Sequence, residues 1–211
     1  MHIDVYQDIA CPWCRIGKRY LSQALDQWQG EPVSVAYHPF LLNDSIPAEG
    51  YDFREYMRAK GGGDPDLERW FEAPRQLGTA IGLTFRFEKI THAPNTLLAH
   101  QLVEIAPPEL RPAVIDALFD AYFEFGENIG DLHTLVHIAG RAGLDAAQAK
   151  ADLEGHTGKS TVIQQVEQAV QMGVSSVPLF VFNKQFAVSG ARQPAYLLAA
   201  MEHSLSAVQV S

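Results

Sequence analysis

The stretch His2-Ile3-Asp4-Val5-Tyr6-Gln7-Asp8-Ile9-Ala10-Cys11-Pro12-Trp13-Cys14-Arg15-Ile16-Gly17-Lys18 decides the fold of this 211-residue chain. Its first six residues alternate around β-branched and aromatic side chains, the two-residue period of a strand. Pro12 then opens a helix at a position where its missing N–H costs nothing. Ile16, Tyr20, Ala24 and Trp28 recur every four residues, so one helical stripe faces a core. Cys11 and Cys14 are the only cysteines of the chain. This order of elements places Cys11 at the N-cap and Cys14 one turn further on.

The position of Cys11 has a chemical consequence. Unpaired N–H groups and the helix dipole stabilise negative charge at a helix start, and the thiolate is the reactive form of cysteine. Such a place can bring a thiol from about 8.5 down to roughly 3.5–7.5. Arg15, Lys18 and Arg19 add positive charge in the first two turns, and Asp8 opposes them. Cys11 is expected to attack and Cys14, directed toward the helix body, to resolve.

Two thiolates at this spacing also occur as zinc ligands, but a closed site needs two more donors from histidine or carboxylate. His133 and His137 lie four residues apart on one expected helical face, yet Thr134 stands where a zincin carries glutamate. The expectation is disulfide chemistry, with no metal and no resident cofactor.

Composition bounds the alternatives. The chain is 47% hydrophobic, 10% aromatic and 19% charged, the make-up of a folded globular protein with a real core. Its formal net charge of −9 argues against a nucleic-acid partner. No run approaches the eighteen or so apolar residues that cross a bilayer, so no membrane partner is expected. Met1 to Tyr6 lacks the basic start and apolar run of a signal peptide, and the expected location is the cytoplasm. There, structural disulfides are rare, so a disulfide in this chain should be chemical rather than structural.

Outward from the first helix, Val33 to Tyr37 alternates and runs into His38-Pro39-Phe40, a second strand. From residue 43 the apolar spacing becomes helical. Asp64-Pro65 is a cap and first turn ahead of Leu67, Trp70 and Phe71. Asn95 caps a helix through Ile105, Leu110 to Ala121 supports another, and Asp131 and Asp145 cap two more. A helix from about Lys159 to Met172 stops at Gly173. Strand character returns in Val177 to Phe182, turns at Asn183-Lys184 and resumes at Phe186 to Val188; Pro194 opens a last helix. Pro178 is awkward inside a central strand, and a cis Val177–Pro178 peptide is the sharper reading. The expected class is α/β, in the order βαβ, helices, αββα. Residues 1–42 and 156–211 form the sheet domain and 43–155 an all-helical insertion.

Four stretches carry a family resemblance: Cys11-Pro12-Trp13-Cys14-Arg15-Ile16-Gly17-Lys18, Pro39-Phe40-Leu41-Leu42-Asn43, Asn95-Thr96-Leu97-Leu98-Ala99-His100, and Gly173 to Phe182 around Val177-Pro178. With them the chain resembles the DsbA branch of the thioredoxin fold, and more narrowly the FrnE-type oxidoreductases, which are typically cytosolic. The resemblance implies that Cys11 is the nucleophile, Cys14 the resolving thiol and Pro178 a cis-proline facing them. Arg15 stands where an aromatic residue is more frequent, which would change the charge of a docking surface, and Ser176 where glycine is frequent.

The expected function is thiol–disulfide exchange on protein or small-molecule disulfides, as a reductase or isomerase. Pro12, Trp13, Phe40 and Val177 are expected to line substrate, Trp13 and Phe40 as an apolar lip. Glutathione is a candidate co-substrate, and glutathione or a thioredoxin-system reductant a candidate partner beside polypeptide substrates; a homodimer is left open. A neighbouring branch, the 2-hydroxychromene-2-carboxylate isomerases and kappa-class glutathione transferases, typically has serine in place of Cys11. A glutathione-dependent isomerase or transferase and a redox-inactive polypeptide holdase are therefore the alternatives.

Overall fold

The computed structural model describes residues 1–63 and 66–208. The expected cap at Asp64-Pro65 lies outside the described residues. The chain divides into two compact units: Met1–Phe40 with the described residues from Gln165 onward, and Leu41–Gln164. The second boundary falls inside a helix rather than at residue 156.

In the first unit, β1 (His2–Gln7) leads to α1 (Pro12–Gln27) and β2 (Ser34–Pro39). After α8 (Lys159–Gln171), which spans the boundary, come β5 (Leu179–Phe182), β6 (Phe186–Ser189) and α9 (Pro194–Val208). The four strands form one sheet in the order β2-β1-β5-β6. β1 is parallel to β2 and antiparallel to β5, with Val5 opposite both Tyr37 and Phe180. The turn between β5 and β6 is made by Asn183 and Lys184, at φ of 49° and 59°.

β1 lies inside the sheet, and both of its faces are covered. Ile3 and Val5 are buried on one face with Phe180, Phe182 and Val188. On the other, Tyr6 clusters with Phe40, Ala169 and Val174, against which Val177, Leu179 and Val181 pack. Each large side chain so removed from water contributes about 1.5–3 kcal/mol. Pro39 sits in β2, an edge strand, where a missing donor is tolerated.

The second unit holds β3 (Tyr51–Asp52), α2 (Phe53–Lys60), α3 (Glu68–Ala80), β4 (His92–Ala93), α4 (Leu97–Ile105), α5 (Arg111–Asp120), α6 (Leu132–Arg141) and α7 (Ala146–Glu154). Three helix starts follow the sequence. Asn95 Oδ1 accepts the Leu97 N–H at 2.9 Å, Asp131 the Thr134 N–H at 2.8 Å, and Asp145 the Ala147 N–H at 2.9 Å. The core is aromatic, with Phe71 and Phe87 stacked 4.5 Å apart and Phe123 edge-on to Phe85 and Phe87.

One expectation is corrected here: the insertion is not all-helical. β3 and β4 pair antiparallel, Tyr51 with Ala93 and Asp52 with His92. Each strand has two residues, too few for any period to show, and the pairing joins distant segments. A π-helical turn, Ala121–Phe125, follows α5. It ends on Gly126 at φ 74°, where a Cβ would stand 2.5 Å from the Lys89 carbonyl oxygen, so no side chain fits.

Candidate functional site

The path from β1 into α1 is set by Asp8. Its Oδ1 accepts the Ala10 N–H at 3.1 Å and its carbonyl accepts the Cys11 N–H at 3.1 Å, a tight turn that delivers Cys11 to the helix start. Cys11 is the N-cap, in extended conformation at φ −98° and ψ 113°, and its side chain makes no capping hydrogen bond. Its carbonyl accepts the Cys14 N–H at 3.1 Å and the Arg15 N–H at 3.3 Å, closing the first turn. The first turn carries no acidic residue. Sequence reading treats Asp8 only as an opposing charge and misses its turn; an Asp two residues before an amide donor is the signal that was available.

Both cysteines are free thiols. Cys14 is 1% exposed and Cys11 4%. Burial pushes the Cys14 thiol well up from its ordinary value, and the hydrogen bond and charge of Cys11 add to this. The Asp8 N–H opposes the rise and the Asp8 carboxylate adds to it. Cys14 is therefore held as a neutral thiol, unsuited to first attack. Cys11 is covered more deeply than a helix start alone implies, because its Sγ lies 3.9 Å from the Val177 carbonyl oxygen.

The Val177–Pro178 peptide is cis, and Pro178 is buried. Gly17 of α1 is what lets this segment approach: a Cβ there would stand 2.8 Å from Pro178 Cγ and 3.1 Å from Phe180 Cζ. Pro12 is half-buried at the first helical position. Trp13 is 37% exposed, and with Val177 it lines a cavity of about 340 Å³ beside Cys11. Ser176, Ser189 and Arg192 line the same cavity. No chemistry-bearing motif marks these three in sequence, since Ser189-Gly190 reads only as the turn before the last helix.

Two expectations about side chains are corrected. Phe40 is 8% exposed and packed with Tyr6, Ala169 and Val174, so it forms core rather than an apolar lip. Arg15 and Lys18 are buried while Arg19 is exposed, so Arg15 does not set the charge of a docking surface. The reason is that Cys14, Arg15, Ile16, Gly17 and Lys18 are buried in succession, a wider covered face than the four-residue stripe indicates. His133 and His137 are exposed on α6, and no cluster of three His, Cys, Asp or Glu side chains among the described residues could hold a metal ion. No helix among the described residues is long and apolar enough to cross a membrane.

Comparison with known proteins gives a consistent picture. A family model described as the DSBA-like thioredoxin domain matches residues 2–202. The uncharacterized protein YwbO of Bacillus subtilis is 28% identical over 190 residues, covering 87% of each chain. The crystal structure of a probable DsbA oxidoreductase from Streptomyces coelicolor is similar at a TM-score of 0.90 and 26% identity, covering 98% of this chain and 90% of that one. The cytosolic disulfide reductase DsbM from Pseudomonas aeruginosa, solved with GSH, shares the fold at a TM-score of 0.60 and 16% identity, covering 100% of this chain and 98% of its own.

Proposed function

The chain belongs to the DsbA-like thioredoxin-domain family, and from that premise we propose that it catalyses thiol–disulfide exchange through Cys11 and Cys14, working as a reductase or isomerase of the FrnE type. The observation that carries this reading is the asymmetry of the pair. Two free thiols sit at one helix start, and burial holds Cys14 protonated while Cys11, uncapped, faces the Val177 carbonyl at the cavity's edge.

In the reducing direction the Cys11 thiolate attacks one sulfur of a substrate disulfide. A mixed disulfide forms, the substrate S–S bond breaks, and the first leaving sulfur departs as thiolate and takes a proton. Cys14 then loses its proton and attacks Cys11 Sγ, releasing the second substrate thiol and leaving a Cys11–Cys14 disulfide. The substrate gains two electrons and the pair loses two. A thiol or dithiol reductant returns the pair to its starting state; glutathione or a thioredoxin-system protein fits that role. In a cytoplasm poised at about −220 to −320 mV, reduction or isomerisation is the direction favoured over bulk disulfide formation. The name of DsbM as a cytosolic disulfide reductase supports the same location and direction for this chain.

Val177, preceding the buried cis-Pro178, lines the cavity against which a substrate segment lies, and Trp13 is the exposed apolar surface beside it. Polypeptides with accessible disulfides fit such an open groove. Insulin reduction with a dithiol reductant tests the reading: wild type accelerates the reaction, and Cys11→Ser falls to the rate of the reductant alone. Cys14→Ser should instead accumulate a mixed disulfide at Cys11, seen as an adduct by mass spectrometry. Equal rates for wild type and Cys11→Ser would end the assignment.

A further inference from the structure

The cavity beside Cys11 has a polar composition that thiol–disulfide exchange by itself does not call for. Its polar side chains are one guanidinium, Arg192, and two hydroxyls, Ser176 and Ser189, whose oxygens lie 3.2 Å apart. No carboxylate among the described residues lines it. Arg192 Nε donates to the Ser189 carbonyl at 3.1 Å, and its guanidinium carbon lies 5.6 Å from the centre of the Tyr196 ring. One edge and one face of the guanidinium are thus fixed. In a chain with 25 acidic residues, Arg192 makes no ion pair among the described residues.

The backbone ties the segment that carries this cation to the segment that faces the reactive sulfur. Cys11 Sγ lies beside the Val177 carbonyl, the Pro178 carbonyl accepts the Gly190 N–H at 2.8 Å, and the Gly190 carbonyl accepts the Arg192 N–H at 2.9 Å. A planar fork whose terminal N–H groups meet no acceptor among the described residues matches a carboxylate in two parallel hydrogen bonds. A volume of about 340 Å³ is near the lower end of ligand sites, enough for the one or two residues' worth of atoms that flank a sulfur.

Resting on the exchange reading above, we propose that Arg192 is a specificity-determining residue: it binds a carboxylate carried close to the substrate sulfur, so the pair reacts preferentially with acid-bearing disulfides. The acid can belong to a small thiol metabolite or to an acidic residue flanking a polypeptide cysteine. Ser176 and Ser189 supply hydroxyl donors to the same anion.

The experiment measures oxidation of the reduced full-length protein by three small disulfides: dithiodiglycolate with two carboxylates, neutral bis(2-hydroxyethyl) disulfide, and cationic cystamine. Reactions are quenched by alkylation, read by mass spectrometry, and each rate is divided by that of dithiothreitol with the same disulfide. Wild type should favour the anion over the neutral disulfide by about tenfold, as one charge-assisted contact of about 1.4 kcal/mol gives, with cystamine slowest. Arg192→Gln should abolish that ratio, Arg192→Glu should reverse it, and added salt should reduce it in wild type only.

A wild-type rate independent of charge would overturn the proposal. So would a fall in Arg192→Gln common to all three disulfides, since a merely structural residue leaves the ratio intact. If none of the disulfides oxidises wild type, the exchange reading itself fails, a result distinct from both. Disulfide-cyclised peptides with Asp or Asn beside the cysteine complete the test. A preference for Asp extends the recognition to polypeptides, and a preference confined to the small disulfides assigns it to an acid-bearing metabolite.

Discussion

The start of α1 and the start of α6 are the same piece of backbone put to opposite uses. At α6, Asp131 closes the helix start: its carboxylate accepts the Thr134 N–H, and folding holds it below its ordinary value, chiefly through that backbone bond. At α1 the N-cap is Cys11, which spends no side-chain hydrogen bond on the helix, is followed by proline, and has no acid in the first turn. One helix start satisfies its own donors and gives stability. The other leaves its field available to a sulfur and gives up the cap, a device worth about 1 kcal/mol elsewhere.

That contrast can be broken by separating activity from stability. Cys11→Ser should lose all exchange activity while its thermal midpoint stays near that of wild type, because serine is itself a good cap. A large drop in midpoint would mean that Cys11 is chiefly structural.

The next effect concerns Cys14. Burial is the first cause of its raised value, and burial persists once Cys11 is tied up in a mixed disulfide. Only the deprotonated thiol resolves, so below that raised value the resolution rate should climb about tenfold per pH unit. Quenched-flow timing of mixed-disulfide decay at pH 6, 7 and 8 checks this, and a flat profile would show Cys14 to be ionised already.

A smaller change is expected from Gly17→Ala. Its Cβ would meet Pro178 Cγ at 2.8 Å, and a proline ring held in the core cannot swing aside. Overpacking of this kind costs about 1–3 kcal/mol, to be read from urea unfolding, and should also slow exchange by moving the segment beside Cys11. Unchanged stability and rate would mean that Pro178 yields freely.

The smallest effect sharpens the other side of the contrast. Asp131→Ala should cost about 1 kcal/mol at neutral pH and leave exchange untouched. Because folding lowers this carboxyl, its contribution is complete above the unfolded-state value of 3.8 and vanishes as pH falls through the lower folded one. The gap between wild type and Asp131→Ala should therefore close in acid, as measured by denaturation at pH 7 and pH 2.5.

Much of the fold is legible because its signals are local. Alternation in Ile3 to Tyr6, Pro12 at a helix start, the Asp131 and Asp145 caps and the Asn183-Lys184 turn each act within a few residues of themselves. The strands β3 and β4 are not legible, since two residues have no period and their partners lie far apart in the chain. Phe40 illustrates the same limit in the site. An aromatic residue after a strand looks alike whether it faces solvent or the Tyr6, Ala169 and Val174 cluster, and only packing decides.

The sequence by itself determined that two thiols stand at the first turn of a helix that follows a strand, because cysteine spacing, proline placement and periodicity are properties of adjacent residues. Only the tertiary structure decided what surrounds them. The Val177 carbonyl over Cys11 and the guanidinium of Arg192 beside the cavity come from segments more than 160 residues away in the chain, and packing supplies the burial that keeps Cys14 protonated. The physical reason is that a helix start fixes a local field, whereas desolvation and charge at a sulfur depend on everything packed around it.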